Sequence, residues 1–171
     1  MACVLAVRGF TPKIEEDVWL APNATVVGDV ELGSESTVWF QAVVRGDVAP
    51  IRVGSRVNIQ DGAVIHGTFE SSQTILEDDA SIGHNAIVHG AHVGKGALIG
   101  MGAIVMDHVV VGAGAVVGAG AVVLAGTVIG PGELWTGVPA VCKGAVNATL
   151  KEHVSATAER YVTYASWFQE E

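Results

Sequence analysis

The sequence predicts an all-β solenoid, a parallel β-helix of hexapeptide repeats followed by a C-terminal α-helix. An aliphatic residue returns at every sixth position through most of the chain, and a small or polar residue usually follows it. A period of six fits neither an α-helix nor an amphipathic strand, whereas three six-residue sides make one triangular coil. Gly, Asn and Asp near the corners accept the sharp turns between sides. The inward positions are Leu20, Val26, Leu32, Val38, Val44, Val53, Ile59, Ile65, Leu76, Ile82, Val88, Val93, Ile99, Val105, Val111, Val117, Val123, Ile129 and Trp135.

The elements follow one another along a single domain. Residues 1–17 are expected to form an N-terminal capping region, residues 18–142 the β-helix, and residues 147–171 an amphipathic helix capped by Asn147. The capping strand begins at Val4, Leu5 and Val7. Apolar residues recur every three to four positions after the cap, which is the helical period, and we expect this helix to lie along the side of the solenoid. They are Leu150, Val154, Ala158, Tyr161, Ala165 and Phe168.

The six-residue period breaks in three places. Extra residues fall at 45–51 and at 67–73, and one residue is missing between Val88 and Val93. Insertions in a solenoid map to loops on one face, and that face is often functional. We therefore expect excursion loops at 45–51 and 67–73.

Composition narrows the function classes. The net charge is −9 with only nine Lys and Arg, which argues against nucleic acid or an anionic membrane as a partner. Arg8 interrupts the first apolar run, so no signal peptide is expected. Cys3 and Cys142 are too few and too distant for a secreted disulfide framework, and a reduced, cytoplasmic location is the plain interpretation.

One uncharged stretch is long enough to span a bilayer. Residues 109–130 contain no charge, and Gly114 and Gly118 form a GxxxG pair. Neither a flanking Lys or Arg nor an aromatic belt accompanies it, and the stretch continues the six-residue period in phase. We therefore assign it to the solenoid.

Three of the six histidines are placed by the repeat. His66 and His89 each directly follow an inward residue, and counting sides puts them on one face, one coil or roughly 5 Å apart. Two imidazoles at that distance can share one metal. His84 lies around the corner, so only a neighbouring chain in a trimer could complete a three-histidine site. That these are three unrelated exposed histidines remains an open alternative. A structural role is assigned to His92, His108 and His153.

Polar residues gather near these histidines. Gln60 and Asp61 follow an inward residue one side before His66, and Arg45 and Asp47 lie one Gly apart in the first break. A guanidinium suits a carboxylate or a bicarbonate-like anion, and Asp47 could hold it in position. An ordinary interface ion pair is the other interpretation.

Several motifs in a fixed order resemble the γ-class carbonic anhydrase family. They are Val43-Val44-Arg45-Gly46-Asp47, Asn58-Ile59-Gln60-Asp61-Gly62 with His66, Gly83-His84-Asn85-Ala86-Ile87-Val88-His89-Gly90, and Ile99-Gly100-Met101-Gly102-Ala103. The similarity runs from about Val18 to Ala140, and the C-terminal helix is similar as well. The ordered set is more specific than a hexapeptide match alone.

The resemblance implies a left-handed β-helix homotrimer with metal sites at the subunit interfaces. His66 and His89 of one chain and His84 of the next would hold zinc, with iron or cobalt as alternative metals. It also implies reversible hydration of carbon dioxide to bicarbonate.

The resemblance also implies roles for other residues. Arg45 and Asp47 would be the interface pair, and Gln60 would orient the nucleophile at the metal, with Asn58 and Asp61 nearby. The remaining implied roles belong to Tyr161, which would project from the terminal helix toward the substrate, and to Glu70, the only carboxylate in the short loop that could carry protons.

Two other functions remain possible on the sequence. Many hexapeptide proteins are acyltransferases, and some relatives look like thioesterases, so a CoA-type substrate is one alternative. A non-catalytic, metal-stabilised trimer is another. The sequence offers no basic cluster for a CoA phosphate.

Overall fold

The chain forms a left-handed parallel β-helix of about seven turns that ends in a helical segment, as expected. The computed structural model describes residues 1–169. Its strands are β1 (Cys3–Leu5), β2 (Lys13–Ile14), β3 (Trp19–Leu20), β4 (Thr25–Leu32), β5 (Thr37–Val38), β6 (Val43–Val53), β7 (Asn58–Ile59), β8 (Val64–His66), β9 (Thr74–Leu76), β10 (Ser81–Ile82), β11 (Ile87–His89), β12 (His92–Val93), β13 (Leu98–Ile99), β14 (Ile104–Val105), β15 (Val110–Val111), β16 (Val116–Val117), β17 (Val122–Val123), β18 (Val128–Ile129), β19 (Glu133–Gly137) and β20 (Ala140–Ala145). The helices are α1 (Ala148–Ser155) and α2 (Thr157–Ser166).

The strands stack into three faces. The first face runs from the start of β4 through β6, β8, β11, β14 and β17, and the second runs from the end of β4 through β6, β9, β12, β15 and β18. The third face is β3, β5, β7, β10, β13, β16, β19 and β20, and only its last pair is antiparallel. Each strand therefore pairs with strands about one coil away.

The core is the column of residues that the six-residue period predicted. Ile65 and Val88, for example, pair in register and are fully buried. The residue two positions earlier is Ala63 or Ala86, also fully buried, because little space remains where two sides meet. Alternating large and small inward side chains fills the triangular cross-section.

Corner residues adopt the left-handed backbone region. Gly102, three positions before the inward Val105, has φ +65°. His108 occupies the equivalent position before Val111 with φ +61°. Glycine adopts this conformation without strain, so its recurrence at six-residue intervals has a backbone cause.

The first break is a strand, so the loop expected there is wrong. Residues 45–51 belong to β6, which turns from the first face onto the second and pairs with β4 up to Gly46 and again from Ile51. β4 continues around the same corner, and the register shifts between Gly28 and Val30. Ile51, where the pairing resumes, is fully buried, so the chain rejoins the core at once after the extra residues. Residues 67–73 do form a turn, closed by a bridge between Thr68 and Ser72.

The N-terminal segment pairs with the solenoid and the C-terminal segment covers it. Strand β1 joins β4 in parallel, as the capping prediction required. Asn147 caps α1 by accepting a hydrogen bond from the Leu150 N–H at 2.9 Å. The expected single helix is instead divided at Ala156, and its residues 170 and 171 lie outside the described part.

The helices cover the third face through aromatic contacts. The Tyr161 ring packs edge-on against Trp39 with centroids 5.2 Å apart, and the Phe168 ring lies 5.3 Å from that of Trp19. Residues 109–130 contribute β15 to β18. None of the helices in residues 1–169 is long and apolar enough to cross a membrane.

Candidate metal centre and active site

His66 and His89 stand side by side at the ends of β8 and β11. Their backbones pair in register, as the repeat predicted. The His66 Nδ1 lies 3.1 Å from the His89 Nε2, and the ring centroids are 5.1 Å apart. Two ring nitrogens therefore converge on one point at the corner between the first and second faces.

A carboxylate holds the outer nitrogen of each ring. Asp47 Oδ1 lies 3.0 Å from His66 Nε2, and Asp107 Oδ2 lies 3.0 Å from His89 Nδ1. Such carboxylate–histidine pairs fix the tautomer and the orientation of imidazoles that bind metals. The four side chains form one line, Asp47–His66–His89–Asp107, which we call the imidazole line.

Asp107 was not among the residues predicted from the sequence. It accepts hydrogen bonds from the Ser72 and Thr68 hydroxyls, the latter at 2.8 Å. Burial raises the pKa of this carboxyl, but the hydrogen bonds from Ser72, Thr68 and His89 outweigh burial and lower the pKa to about 2. One coil past His89, the equivalent repeat position is Met106, and Asp107 directly follows it. An acidic residue next to that position was the sequence feature that could have pointed to Asp107.

At its other end the imidazole line meets Arg45. The Arg45 Nη1 donates to Asp47 Oδ2 at 2.5 Å, while Asp47 Oδ1 faces His66. Burial of Asp47 opposes ionisation, yet the hydrogen bonds from Arg45 and His66 hold the pKa of this carboxyl below its usual value. Asp47 therefore stays an acceptor for both partners.

His84 lies at a different corner, in the turn after β10. Its Nδ1 lies 2.8 Å from Asp61 Oδ2, and its Nε2 lies 3.5 Å from the Tyr161 hydroxyl oxygen. Within residues 1–169 no group of three or more His, Cys, Asp or Glu side chains is arranged to hold a metal ion. This agrees with the expectation that the three rings do not converge within one chain.

Gln60 is held rigidly beside His84. Its Nε2 donates to Asn58 Oδ1 at 2.9 Å, and its Oε1 accepts from the His84 backbone N–H at 3.2 Å. Asn58 in turn donates to Ser81 Oγ at 2.8 Å. All three polar side chains are buried. The network fixes the Gln60 amide and leaves one Oε1 lone pair and one N–H available.

Tyr161 reaches the same place from α2. It is partly buried between Trp39 and Tyr164. Burial, with smaller contributions from Asp61 and Tyr164, raises the pKa of its phenol to about 12. The hydroxyl is therefore a neutral donor at physiological pH.

The remaining candidates are not drawn into these clusters. Glu70 is exposed at the tip of the 67–73 turn with φ +53°. His92 Nε2 lies 2.7 Å from Glu77 Oε1 on the second face. The other two histidines contact single side chains, His108 with Ser71 and His153 with Arg160.

The separation of the two inner ring nitrogens can be compared with that of two ligands on one zinc ion. Zinc–nitrogen bonds of about 2.0–2.1 Å place two ligand nitrogens about 3.3 Å apart. The pair of His66 Nδ1 and His89 Nε2 is 3.1 Å apart, so a small ring rotation admits the ion. Neutral imidazoles with carboxylates behind them are ligands that zinc prefers.

Two family models match the repeats. The bacterial transferase hexapeptide model (six repeats) matches residues 11–46 and 90–125. The model for the hexapeptide repeat of succinyl-transferase matches residues 73–106. Together they cover parts of all three faces.

Similar proteins carry two kinds of description. Carbonic anhydrase from Geobacillus kaustophilus is 45% identical over 88 residues, 52% of this chain and 48% of that protein. Mitochondrial gamma carbonic anhydrase 2 from Arabidopsis thaliana is 38% identical over 160 residues, 91% of this chain and 58% of that protein. A crystal structure of a putative acetyltransferase from Bacillus cereus has a TM-score of 0.95 at 37% identity, covering 99% of this chain and 98% of that one. The chain spans about half the length of the curated relatives it matches.

Proposed function

Because this chain belongs to the γ-class carbonic anhydrase family of hexapeptide-repeat proteins, we propose that it catalyses the reversible hydration of carbon dioxide to bicarbonate. The active form would be a homotrimer with one metal site at each subunit interface. His66 and His89 of one chain and His84 of a second chain would hold Zn²⁺, and Fe²⁺ or Co²⁺ are the alternatives. The observation that carries the proposal is the 3.1 Å approach of His66 Nδ1 to His89 Nε2, with a carboxylate behind each ring.

Because His84 lies at a different corner from His66 and His89, its position supports a metal site shared between two chains. His84 already has its own carboxylate partner, Asp61, as the other two histidines have theirs. The His84 ring is oriented as a metal ligand would be, but its own chain places no second imidazole beside it. In a symmetric oligomer a neighbouring chain can bring its His66 and His89 to the same metal. The outward column on the first face is also apolar, as a subunit interface requires. It consists of Val43, Val64, Ile87, Ile104 and Val122.

The residues around the site would position the reactants. The metal would supply a Lewis acid that makes water nucleophilic near neutral pH. Gln60 Oε1 has one lone pair free to accept from the attacking water, while its other hydrogen bonds prevent rotation. Asp61 would keep the His84 ring in one orientation. Tyr161 would donate from its neutral hydroxyl to an oxygen of carbon dioxide or bicarbonate.

Three further residues would act at the subunit interface or in proton release. Arg45 and Asp47 would act as an interface ion pair, and Asp47 would also orient His66. Each turnover releases one proton, which Glu70 or a buffer molecule would carry away. Glu70 is exposed, as a carrier that exchanges with solvent must be.

We propose that the protein is cytoplasmic, on the evidence of its two cysteines. Cys3 and Cys142 are free and exposed, and free exposed thiols suit a reducing compartment.

The experiment that tests the function combines three measurements on one sample. Purified protein is sized by native mass spectrometry, its metal is quantified by elemental analysis, and carbon dioxide hydration is followed by stopped flow. We expect a trimer with about one metal per chain and hydration that disappears after chelation and returns with zinc. Full metal loading without hydration would contradict the catalytic proposal and favour a metal-stabilised assembly.

Acyl transfer or thioester hydrolysis on a CoA-type substrate is the second candidate. The observation that favours it is the TM-score of 0.95 to a structure described as a putative acetyltransferase. Hydrolysis or transfer from acetyl-CoA without added metal would support this candidate over carbon dioxide hydration.

A further inference from the structure

A long cleft separates the third face from the two helices. Its volume is about 430 Å³, and it has Gly83, Gly100 and Gly118 along its floor. These glycines directly follow Ile82, Ile99 and Val117, which pair in register from coil to coil. Each coil advances about 4.8 Å, so the floor from Gly83 to Gly118 is about 10 Å long and runs parallel to the solenoid axis. We call this space the helix cleft.

The solenoid wall of the helix cleft is polar at one end, and His153 and Thr157 add two polar side chains from the helices. Gln60, His84 and Tyr161 line the end nearest β7. Along the outward column of the third face, Asn58 and Ser81 are followed by three apolar residues over the next three coils. The apolar walls and cover are formed by Leu98, Val116, Leu134 and Leu150.

The helices run opposite to the coils, which sets the direction of the cleft. Tyr161 of α2 meets His84, whereas Leu150 of α1 lies in the same cleft as Leu134, three coils further along from Ser81. A molecule in the cleft therefore has its polar group beside His84 and its apolar part under α1. Carbon dioxide fills only a small fraction of such a volume, whereas pockets of about 300–1,000 Å³ hold whole organic ligands.

The charges favour a neutral polar group. Among residues 1–169, neither Lys nor Arg lines the helix cleft. The Asp61 carboxylate lies 2.8 Å from His84, so an anionic head would meet a negative charge without a cationic partner. The donors available at the polar end are the Tyr161 hydroxyl, held neutral, and the free N–H of Gln60. They suit the oxygen of an uncharged carbonyl group.

We propose that the helix cleft binds a straight-chain acyl compound with a neutral carbonyl, an ester or an amide. The carbonyl oxygen accepts from Tyr161 and Gln60, and the chain extends over Gly83, Gly100 and Gly118. An extended polypeptide advances about 3.3 Å over three backbone bonds, so about 10 Å holds a chain of about eight to nine bonds. This site shares Gln60 and Tyr161 with the proposed hydration site, but acyl binding itself needs no metal.

The test is the dependence of affinity on chain length. The dissociation constants of hexanamide and octanamide are measured by ligand-observed NMR on the full-length protein, as isolated and after chelation. Burying one methylene contributes enough to tighten binding about fourfold, so octanamide should bind about 15-fold more tightly than hexanamide. The ratio should be the same with and without metal.

Two alanines at equivalent repeat positions give a matched pair of variants. Ala119 lines the cleft two residues after the inward Val117, and Ala113 lies two residues after the inward Val111 on the second face. Both are exposed. Ala119→Phe should fill the cleft and bring the octanamide-to-hexanamide ratio close to one, whereas Ala113→Phe should leave it at about 15.

A second cleft variant, Leu150→Asp, keeps the proposal testable if Ala119→Phe fails to fold. Leu150→Asp places a carboxylate at the apolar end, in the first turn of α1, where an acidic residue is compatible with the helix. It should weaken octanamide binding more than hexanamide binding. A ratio near one in the unmodified protein would overturn the proposal. So would equal ratios in Ala113→Phe and in whichever of the two cleft variants retains the native circular dichroism spectrum.

Discussion

The Nδ1 of His66 lies 3.1 Å from the Nε2 of His89, one coil apart on the same face. A parallel pairing of strands brings identical repeat positions together, so the fold itself sets this distance. The carboxylates of Asp47 and Asp107 engage the outer nitrogens, which leaves the two inner nitrogens for a ligand. Two hexapeptides thus present two adjacent ring nitrogens, which is what the proposed metal site needs.

Replacing the proposed ligands should remove the metal. His66→Ala, His84→Ala and His89→Ala should each lower the metal content of the purified protein by at least tenfold, because each removes one of the three imidazoles on the ion. Elemental analysis of size-selected protein measures the content. The His84 variant is the sharpest of the three, since it can affect a site at His66 and His89 only through a neighbouring chain.

His92→Ala is the matched control for that series. His92 also pairs with a carboxylate, Glu77, and follows His89 by only three residues, yet it lies on the second face. Its variant should keep its full metal content. Equal metal loss in the His92 and His89 variants would contradict the register on which the site rests.

The sequence predicted the solenoid well because its physical cause is local and periodic. Ile65, Val88 and the other inward residues were identified from spacing alone, and all are buried except Leu20 and Trp135 at the two ends, which are partly buried. The stacking of His66 on His89 followed from counting sides. A repeat fold makes such counting reliable, because each coil contacts only its neighbours.

The sequence predictions failed where the structure departs from the six-residue period. Residues 45–51 were expected to loop out, but they belong to β6, which pairs with β4 up to Gly46 and again from Ile51 around the same corner. Asp107 was missed because counting sides from His89 reaches Met106, and only the hydrogen bonds to the 67–73 turn show that the next residue, Asp107, faces His89. The division of the C-terminal helix at Ala156 has no marker in the apolar pattern either.

Removing the carboxylate behind His89 should weaken metal binding without abolishing it. Asp107→Asn keeps the shape but loses the charge that orients the ring, and losses of such partners typically cost about 10- to 100-fold in metal affinity. Competition with a chromogenic chelator measures the affinity. Glu77→Gln, which alters the equivalent carboxylate of His92, is the control and should leave the affinity unchanged. An unchanged affinity in Asp107→Asn would show that the carboxylate has no role at the metal.

Chelation should lower the melting temperature of the trimer. A metal that binds only the assembled state stabilises it by mass action. At a free metal concentration of about 100 times the dissociation constant, the gain in free energy of unfolding is about 2.7 kcal/mol. Differential scanning calorimetry with and without a chelator measures the change. The His92→Ala variant should respond to chelation as the unmodified protein does, while His84→Ala should melt at one temperature under both conditions. A chelation effect that persists in His84→Ala would place the stabilising metal elsewhere.

Two neighbouring glycines should differ in their tolerance of alanine. A Cβ on Gly112 would lie 2.5 Å from the backbone nitrogen of Pro131 in the next coil, so the coils must separate. A Cβ on Gly114 would have nothing within 4 Å, and only its φ of +62° opposes the substitution. We expect Gly114→Ala to cost about 1–2 kcal/mol or less and Gly112→Ala to cost more. Urea denaturation measures both, and equal losses would show that coil spacing adapts freely.

Glu70→Gln should slow carbon dioxide hydration at low buffer concentration and not at high concentration. Each turnover must release a proton, and an exposed carboxylate can carry it to solvent when buffer is scarce. Stopped-flow rates across a buffer series measure the effect, with metal content held constant. Glu15→Gln, a change of the same kind at an exposed carboxylate in the N-terminal region, is the control. If the Glu70 and Glu15 variants follow the same buffer curve, then Glu70 is only a solvated charge of the turn, and buffer alone carries the proton. That result would leave the ligand roles of His66, His84 and His89 untouched, because those are tested by metal content and not by rate.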